Sequence, residues 1–179
     1  MKPRTLKAVL FDLDGTLVDT ADEFVVVVQA LRAEHDLGPM DADRIRASVS
    51  NGARALVNLG LGIPFDAPEF ETKRLRLLEL YSKVLGSAAR PYAGILPLLE
   101  DLKARGIAWG VSTNKPRAYA EPLLKALQLM DASPADYDSC RSLVCPDDVK
   151  DRKPHPESLY LNCREVGCAP HEAIYIGDH

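Results

Sequence analysis

The chain has 179 residues, 46% of them hydrophobic and 27% charged, enough apolar material for one buried core with a smaller inserted unit and too much for intrinsic disorder. A formal net charge of −4 gives no general attraction to nucleic acid or to anionic membranes, so an anionic ligand has to be met by local cations. No apolar run approaches a membrane span, and Met1 to Lys7 carry no stretch of the kind a secretory signal needs, which reads as a cytoplasmic protein.

In chain order, Lys7-Ala8-Val9-Leu10 is an apolar run that predicts a buried strand, and Phe11-Asp12-Leu13-Asp14-Gly15-Thr16 follows at its carboxyl end. Alternation points Asp12 and Asp14 to the same side, while Gly15 permits a sharp turn that offers backbone N–H groups to an anion. One carboxylate is then placed to attack phosphorus and the other to move a proton. About ninety residues separate this run from Ser112, too many for a single crossover helix, so a unit is inserted at 18–88 between core segments 1–17 and 89–179.

The insert reads as helical. Thr20-Ala21-Asp22-Glu23 predicts a capping box that opens a helix through Ala33, although the run Val25 to Val28 also suits a strand. Ser50-Asn51-Gly52 predicts the start of another helix carrying Ala53, Leu56 and Val57, and Glu71 to Leu85 places Leu75, Leu78 and Tyr81 at helical spacing. Gly60-Leu61-Gly62-Ile63-Pro64 breaks the two.

Beyond Pro91-Tyr92-Ala93-Gly94 helices and strands alternate: a helix over Ile95 to Arg105 ended by Gly106, a strand over Ile107 to Ser112, and a helix over Arg117 to Leu129. A strand at Leu143-Val144, a helix near Glu157 to Val166 and a strand over Ala173 to Ile176 complete the pattern. Such alternation predicts an α/β fold with a doubly wound parallel sheet, whose ligands bind at the carboxyl ends of the strands. The four cysteines, Cys140, Cys145, Cys163 and Cys168, include no close CxxC pair and read as reduced thiols rather than a zinc site or a disulfide framework.

Three more segments end strands or loops in the same manner: Val111-Ser112-Thr113-Asn114-Lys115, Arg152-Lys153-Pro154 and Ile174-Tyr175-Ile176-Gly177-Asp178. With the first run they form an ordered set of four that resembles the haloacid dehalogenase superfamily over nearly the whole chain, in particular its phosphoglycolate phosphatase-like branch. The resemblance implies a Rossmann-like core with an inserted helical cap, and a phosphatase mechanism with Asp12 as nucleophile and Asp14 as general acid and base. It also implies a phosphate site at Thr113, Asn114 and Gly15, Lys153 offsetting charge, and Mg²⁺ held by the Asp12 side chain, the Asp14 carbonyl and the Asp178 side chain. Asp14 separates the chain from dehalogenases and phosphonatases of the superfamily, which lack the second carboxylate, and Gly15-Thr16 is more similar to phosphatases than to sugar phosphomutases, the alternative enzyme reading.

Within the insert, Gly52-Ala53-Arg54 offers helix-start N–H groups and a guanidinium suited to a substrate carboxylate, with an exposed surface arginine as the plainer alternative. Gly52-Ala53-Arg54-Ala55-Leu56, Trp109-Gly110-Val111 and Leu143-Val144-Cys145-Pro146-Asp147 resemble the bacterial group acting on N-acetylmuramic acid 6-phosphate; that ester and 2-phosphoglycolate each carry a carboxylate and a phosphate. The expected partner is such a small anionic ester, with no nucleic acid and no membrane, on a monomer or weak dimer. In the family the fourth motif is followed by another acidic residue, a helix and a strand, whereas this sequence stops at His179. The expectation is a core incomplete at the C-terminus, with Ala173 to Ile176 an exposed edge and activity reduced; a non-catalytic phosphate-binding or receiver-like module is the reading if that end is natural.

Overall fold

The computed structural model describes residues 5–130 and 140–178; Met1 to Arg4 of the amino-terminal run, and His179, lie outside them. In chain order the elements are β1 (Ala8–Phe11), β2 (Val18–Asp19), α1 (Ala21–Ala33), α2 (Ala42–Arg46), α3 (Gly52–Leu61), α4 (Phe70–Ser82) and β3 (Arg90–Pro91). They continue with α5 (Ile95–Ala104), β4 (Ala108–Ser112), α6 (Arg117–Ala126), β5 (Leu143–Val144), α7 (Glu157–Val166) and β6 (Ala173–Ile176). The chain divides into two compact units, one of Met1–Val18 with Pro91–His179, the other of Asp19–Arg90.

The first unit is a parallel sheet in the order β5-β4-β1-β6. Ala8 lies opposite both Ala108 and Ala173, and Phe11 opposite both Val111 and Ile176, so β1 is paired along its length on both sides. Every residue of β1 and β4 is buried, as expected of strands covered on both faces, and this is why they read as unbroken apolar runs rather than alternating ones. Phe11 meets Trp109 edge-on with ring centroids 6.4 Å apart. Helix α7 packs against β4, β5 and β1, and α5 against β4. A buried polar seam fixes α7: Ser112 Oγ donates to Ser158 Oγ at 2.8 Å, and Asn162 Nδ2 donates to Ser142 Oγ at 2.6 Å and to the Val111 carbonyl at 3.1 Å. At the edge, β6 turns Ile174 and Ile176 outward, 50% and 41% exposed.

The second unit is helical, and the strand alternative for the valine run is overturned: Val25 to Val28 lie inside α1. Phe24, Val27, Val28 and Leu31 are buried while Val26 is 56% exposed, a helical stripe whose burial outweighs the restricted rotamers of β-branched residues. Phe24 stacks on Tyr81 of α4 at 4.4 Å between centroids.

The capping box does not form. Thr20 makes no side-chain cap bond; instead Glu23 turns inward and its Oε1 accepts from the Ala88 and Ala89 amides, both at 3.1 Å, while Asp19 Oδ1 takes the Ala21 amide at 3.0 Å. Gly60 sits within α3, and the break falls at Gly62, whose φ of 70° closes the helix in the left-handed region. In α4 it is Phe70, Leu77, Leu78 and Tyr81 that face inward, and Leu75 is exposed. Helix α6 ends at Ala126 rather than Leu129. Among the described residues no helix is long and apolar enough to cross a membrane.

Candidate active site

Because β1, β4 and β6 run parallel, their carboxyl ends open on one edge of the sheet, and the residues that follow each strand meet there. Asp12 follows β1 with its amide donating to the Ile176 carbonyl of β6 at 2.8 Å. Gly15, at φ 81°, reverses the chain, and Leu17 and Val18 donate back to the Leu13 carbonyl at 3.1 and 2.9 Å. This tight loop holds the two acids. The Gly15 amide itself donates to the Val18 carbonyl at 3.1 Å, so the glycine supplies the turn and its N–H is not turned to an anion, a correction to the sequence expectation that follows from closure of the loop on itself.

Each acid has its own lysine. Lys153 Nζ lies 2.7 Å from Asp12 Oδ2, with the two side chains only 15% and 12% exposed. Lys115 Nζ lies 2.9 Å from Asp14 Oδ1, at 6% and 19%. The other Asp12 oxygen accepts the Leu13 amide at 2.8 Å. Burial pushes the Asp12 carboxyl above its ordinary value, the Lys153 hydrogen bond and charge and the Leu13 amide pull against that shift, and the Asp14 charge adds to it.

Thr113, at the end of β4, is buried and its Oγ1 accepts the Lys115 amide at 3.0 Å, which leaves the hydroxyl proton available to another acceptor. Asn114 is exposed and its Nδ2 donates to the Lys153 carbonyl at 3.2 Å, tying the end of β4 to the loop that bears Lys153. That loop is held from the other side by Glu157 at the start of α7, whose carboxylate accepts the Lys150 and Asp151 amides at 3.2 and 2.9 Å. Those two amides keep the Glu157 carboxyl below its usual range.

Lys153 Nζ also reaches Tyr175 Oη at 3.0 Å. Asp178 lies exposed just beyond β6, close enough for its charge to act on Tyr175. In the helical unit, Gly52 begins α3 at φ 81°, and Arg54 is exposed with its guanidinium carbon 4.9 Å from the Phe70 ring centroid and 5.6 Å from that of Phe65. Thus Asp12, Asp14, Thr113, Asn114 and Lys153 are linked through one network, whereas Gly52 and Arg54 belong to the other unit.

Sequence reasoning missed Lys115 as the partner of Asp14 and Tyr175 as the partner of Lys153. The signal for Lys115 was a lysine two residues past a motif threonine at a strand end. Tyr175 gave only the signal of an aromatic in an apolar strand. Cys140 and Cys145 are poor nucleophiles: burial pushes both thiols up to about 12. Among the described residues, the trio whose ligating atoms lie within 4.8 Å of one another is Asp151, His155 and Glu157 on the surface, so Asp12, Asp14 and Asp178 do not converge through three side chains.

The arrangement pairs one buried carboxylate and one more open one with two cations and a hydroxyl donor, a set suited to phosphoryl transfer. A profile of the haloacid dehalogenase-like hydrolases matches residues 9–179. The chain is 46% identical over 178 residues to an N-acetylmuramic acid 6-phosphate phosphatase of Pseudomonas aeruginosa, covering 99% of this chain and 76% of that protein. It is 33% identical over 172 residues to a phosphoglycolate phosphatase of Xanthomonas campestris, covering 96% and 74%. A crystal structure of a putative haloacid dehalogenase-like hydrolase from Bacteroides fragilis superposes with a TM-score of 0.78 at 25% identity, covering 98% of this chain and 80% of that one. With the family profile spanning all four strand-end segments, the chain belongs to the haloacid dehalogenase-like hydrolases.

Proposed function

We propose that the chain is a magnesium-dependent phosphatase of a small phosphomonoester that also carries a carboxylate, of the N-acetylmuramic acid 6-phosphate or 2-phosphoglycolate type, working through an aspartyl-phosphate on Asp12. The separate pairing of the two acids carries this reading: Asp12 with Lys153 at 2.7 Å and Asp14 with Lys115 at 2.9 Å. The names of the relatives from Pseudomonas and Xanthomonas support the substrate class.

Asp12 attacks phosphorus with a carboxylate that burial makes more basic than usual, and the ester oxygen leaves with a proton from Asp14. Asp14 then takes a proton from water, the water oxygen attacks the acyl-phosphate at phosphorus, and Asp12 departs as carboxylate with inorganic phosphate released. The Thr113 hydroxyl and the Lys153 ammonium hold the phosphoryl oxygens. A hard dication fits the donors, since the Asp12 and Asp178 carboxylates and the Asp14 carbonyl are all oxygen. Mg²⁺ held by these oxygens would supply positive charge to offset that of the phosphate. The helical unit is the proposed source of specificity, with Arg54 and the start of α3 offered to the substrate carboxylate.

The test is a panel of phosphate esters with Mg²⁺, including both named substrates, together with acid-quenched turnover. The expected result is release of inorganic phosphate and a labile phosphoryl group on the peptide containing Asp12. Wild-type rates of phosphate release from Asp12→Asn would refute it.

A further inference from the structure

Tyr175 is the middle of three alternating side chains on β6. Its neighbours Ile174 and Ile176 are exposed, whereas Tyr175 is partly buried on the other face. Its hydroxyl stands 3.0 Å from Lys153 Nζ, and the same nitrogen is 5.5 Å from the centroid of its ring. Burial and the neighbouring Asp12 charge raise the phenol above its ordinary value, and the Lys153 hydrogen bond works against them.

Two residues on, the backbone closes against the phenol. A Cβ built on Gly177 would lie 2.7 Å from Tyr175 Oη, 2.9 Å from Cζ and 3.0 Å from Cε1. A side chain at 177 would therefore push the end of Tyr175 aside and take its hydroxyl away from Lys153.

An ammonium has three N–H donors. Lys153 directs one to Asp12 Oδ2 and one to Tyr175 Oη. Two fixed directions set the rotation of the ammonium, so the third N–H has a defined direction too. Without Tyr175 the group could rotate about its contact with Asp12.

We propose that Tyr175 is a positioning residue for Lys153: its hydroxyl, admitted by the missing side chain of Gly177, fixes the ammonium on Asp12 so that the remaining N–H points at an incoming phosphoryl oxygen. The inference rests on the phosphatase reading for its kinetic consequence, but the contact itself is independent of turnover. Tyr175→Phe keeps the ring and removes the hydroxyl. It is expected to lower kcat about tenfold, the size of one hydrogen bond to a charged group, with KM for the ester within about twofold of wild type. A purely structural role would move the unfolding midpoint without this split.

The second arm uses urea unfolding in EDTA with no substrate. Tyr175→Phe is expected to lower the midpoint in the Lys153 background and to have little further effect in the Lys153→Met background, the signature of coupled partners. An unchanged kcat for Tyr175→Phe beside an active wild type, or equal midpoint shifts in the two backgrounds, overturns the proposal. A wild-type chain that hydrolyses no phosphate ester overturns the proposed function instead, and the unfolding cycle then decides alone whether Tyr175 holds Lys153.

Discussion

Lys153→Met removes the ammonium beside Asp12 and keeps most of the aliphatic stem. At 2.7 Å the attraction between the two charges is about 6 kcal/mol at an effective dielectric of about 20, before desolvation is subtracted. Deleting one member of a buried pair typically costs about 3–5 kcal/mol, because the other charge stays behind. Both side chains retain some contact with water, at 15% and 12% exposure, which brings the expected loss to about 2–4 kcal/mol. The protein has one tryptophan, and Trp109 is fully buried in β4, so urea unfolding followed by tryptophan fluorescence in EDTA at neutral pH reports on the unit that holds the pair. Asp12→Asn added to Lys153→Met should recover at least half of the loss, since no charge then remains buried. The loss should also shrink in acid. Without Lys153 the Asp12 carboxyl rises further, and once protonated it no longer needs a cation. A Lys153→Met variant within about 0.5 kcal/mol of wild type, or a double variant no more stable than Lys153→Met, would refute the reasoning.

Asp12→Asn alone should abolish turnover while moving the thermal midpoint little, because loss of the Lys153 contact and relief of a buried charge oppose each other; calorimetry beside a phosphate-release assay checks both. The folded Asp12 carboxyl lies above its ordinary value of 3.8, so its contribution to stability is complete below that value and is lost as pH rises through the folded one. Asp12→Asn should flatten that part of the stability profile in urea titrations from pH 3 to pH 7. Lys115→Met removes a 2.9 Å contact from Asp14 and should lower kcat at least about tenfold, a fraction of what general acid–base catalysis contributes; initial rates at saturating substrate measure it. Arg54→Ala should raise KM about tenfold for a carboxylate-bearing ester and leave p-nitrophenyl phosphate unchanged. Glu23→Ala strips the Ala88 and Ala89 amides of their shared acceptor and should destabilise the helical unit by about 1–3 kcal/mol, measured by hydrogen exchange at those amides.

The core was legible because central parallel strands leave an unmistakable trace: β1 and β4 are buried on both faces and so appear as unbroken apolar runs with motif residues just beyond their ends. The long helices showed through the spacing of their buried side chains, even across the valines of α1. Local signals failed where a side chain is claimed by a distant partner. Thr20 to Glu23 has the composition of a capping box, yet the glutamate is drawn to Ala88 and Ala89, far along the chain. Strands β2 and β3 are two residues each and α2 only five, too short for periodicity to register. At the site, residue types, order and the family resemblance pointed to Asp12, Asp14, Thr113 and Lys153, which the fold brings into one network. The roles of Lys115 and Tyr175 depend on which strands lie side by side, since a lysine read alone is a solvated charge and a tyrosine in a strand is ordinary filling. Gly15 was read as an anion donor because its own carbonyl partner, Val18, is visible only once the loop has closed.

The central place of β1 in the sheet also bears on how the chain is made. Its neighbours, Ala108 to Val111 on one side and Ala173 to Ile176 on the other, lie far beyond it in the chain and are synthesised much later. Pairing across such separations gives a high contact order and slow folding, because large loops must close before any reward is gained. Until then a fully apolar segment, Ala8 to Phe11, is left without its hydrogen-bonding neighbours, a sticky element in a nascent chain. Until β4 and β6 have been synthesised this segment is open to other chains, and a chaperone that shields it would raise the yield of native protein.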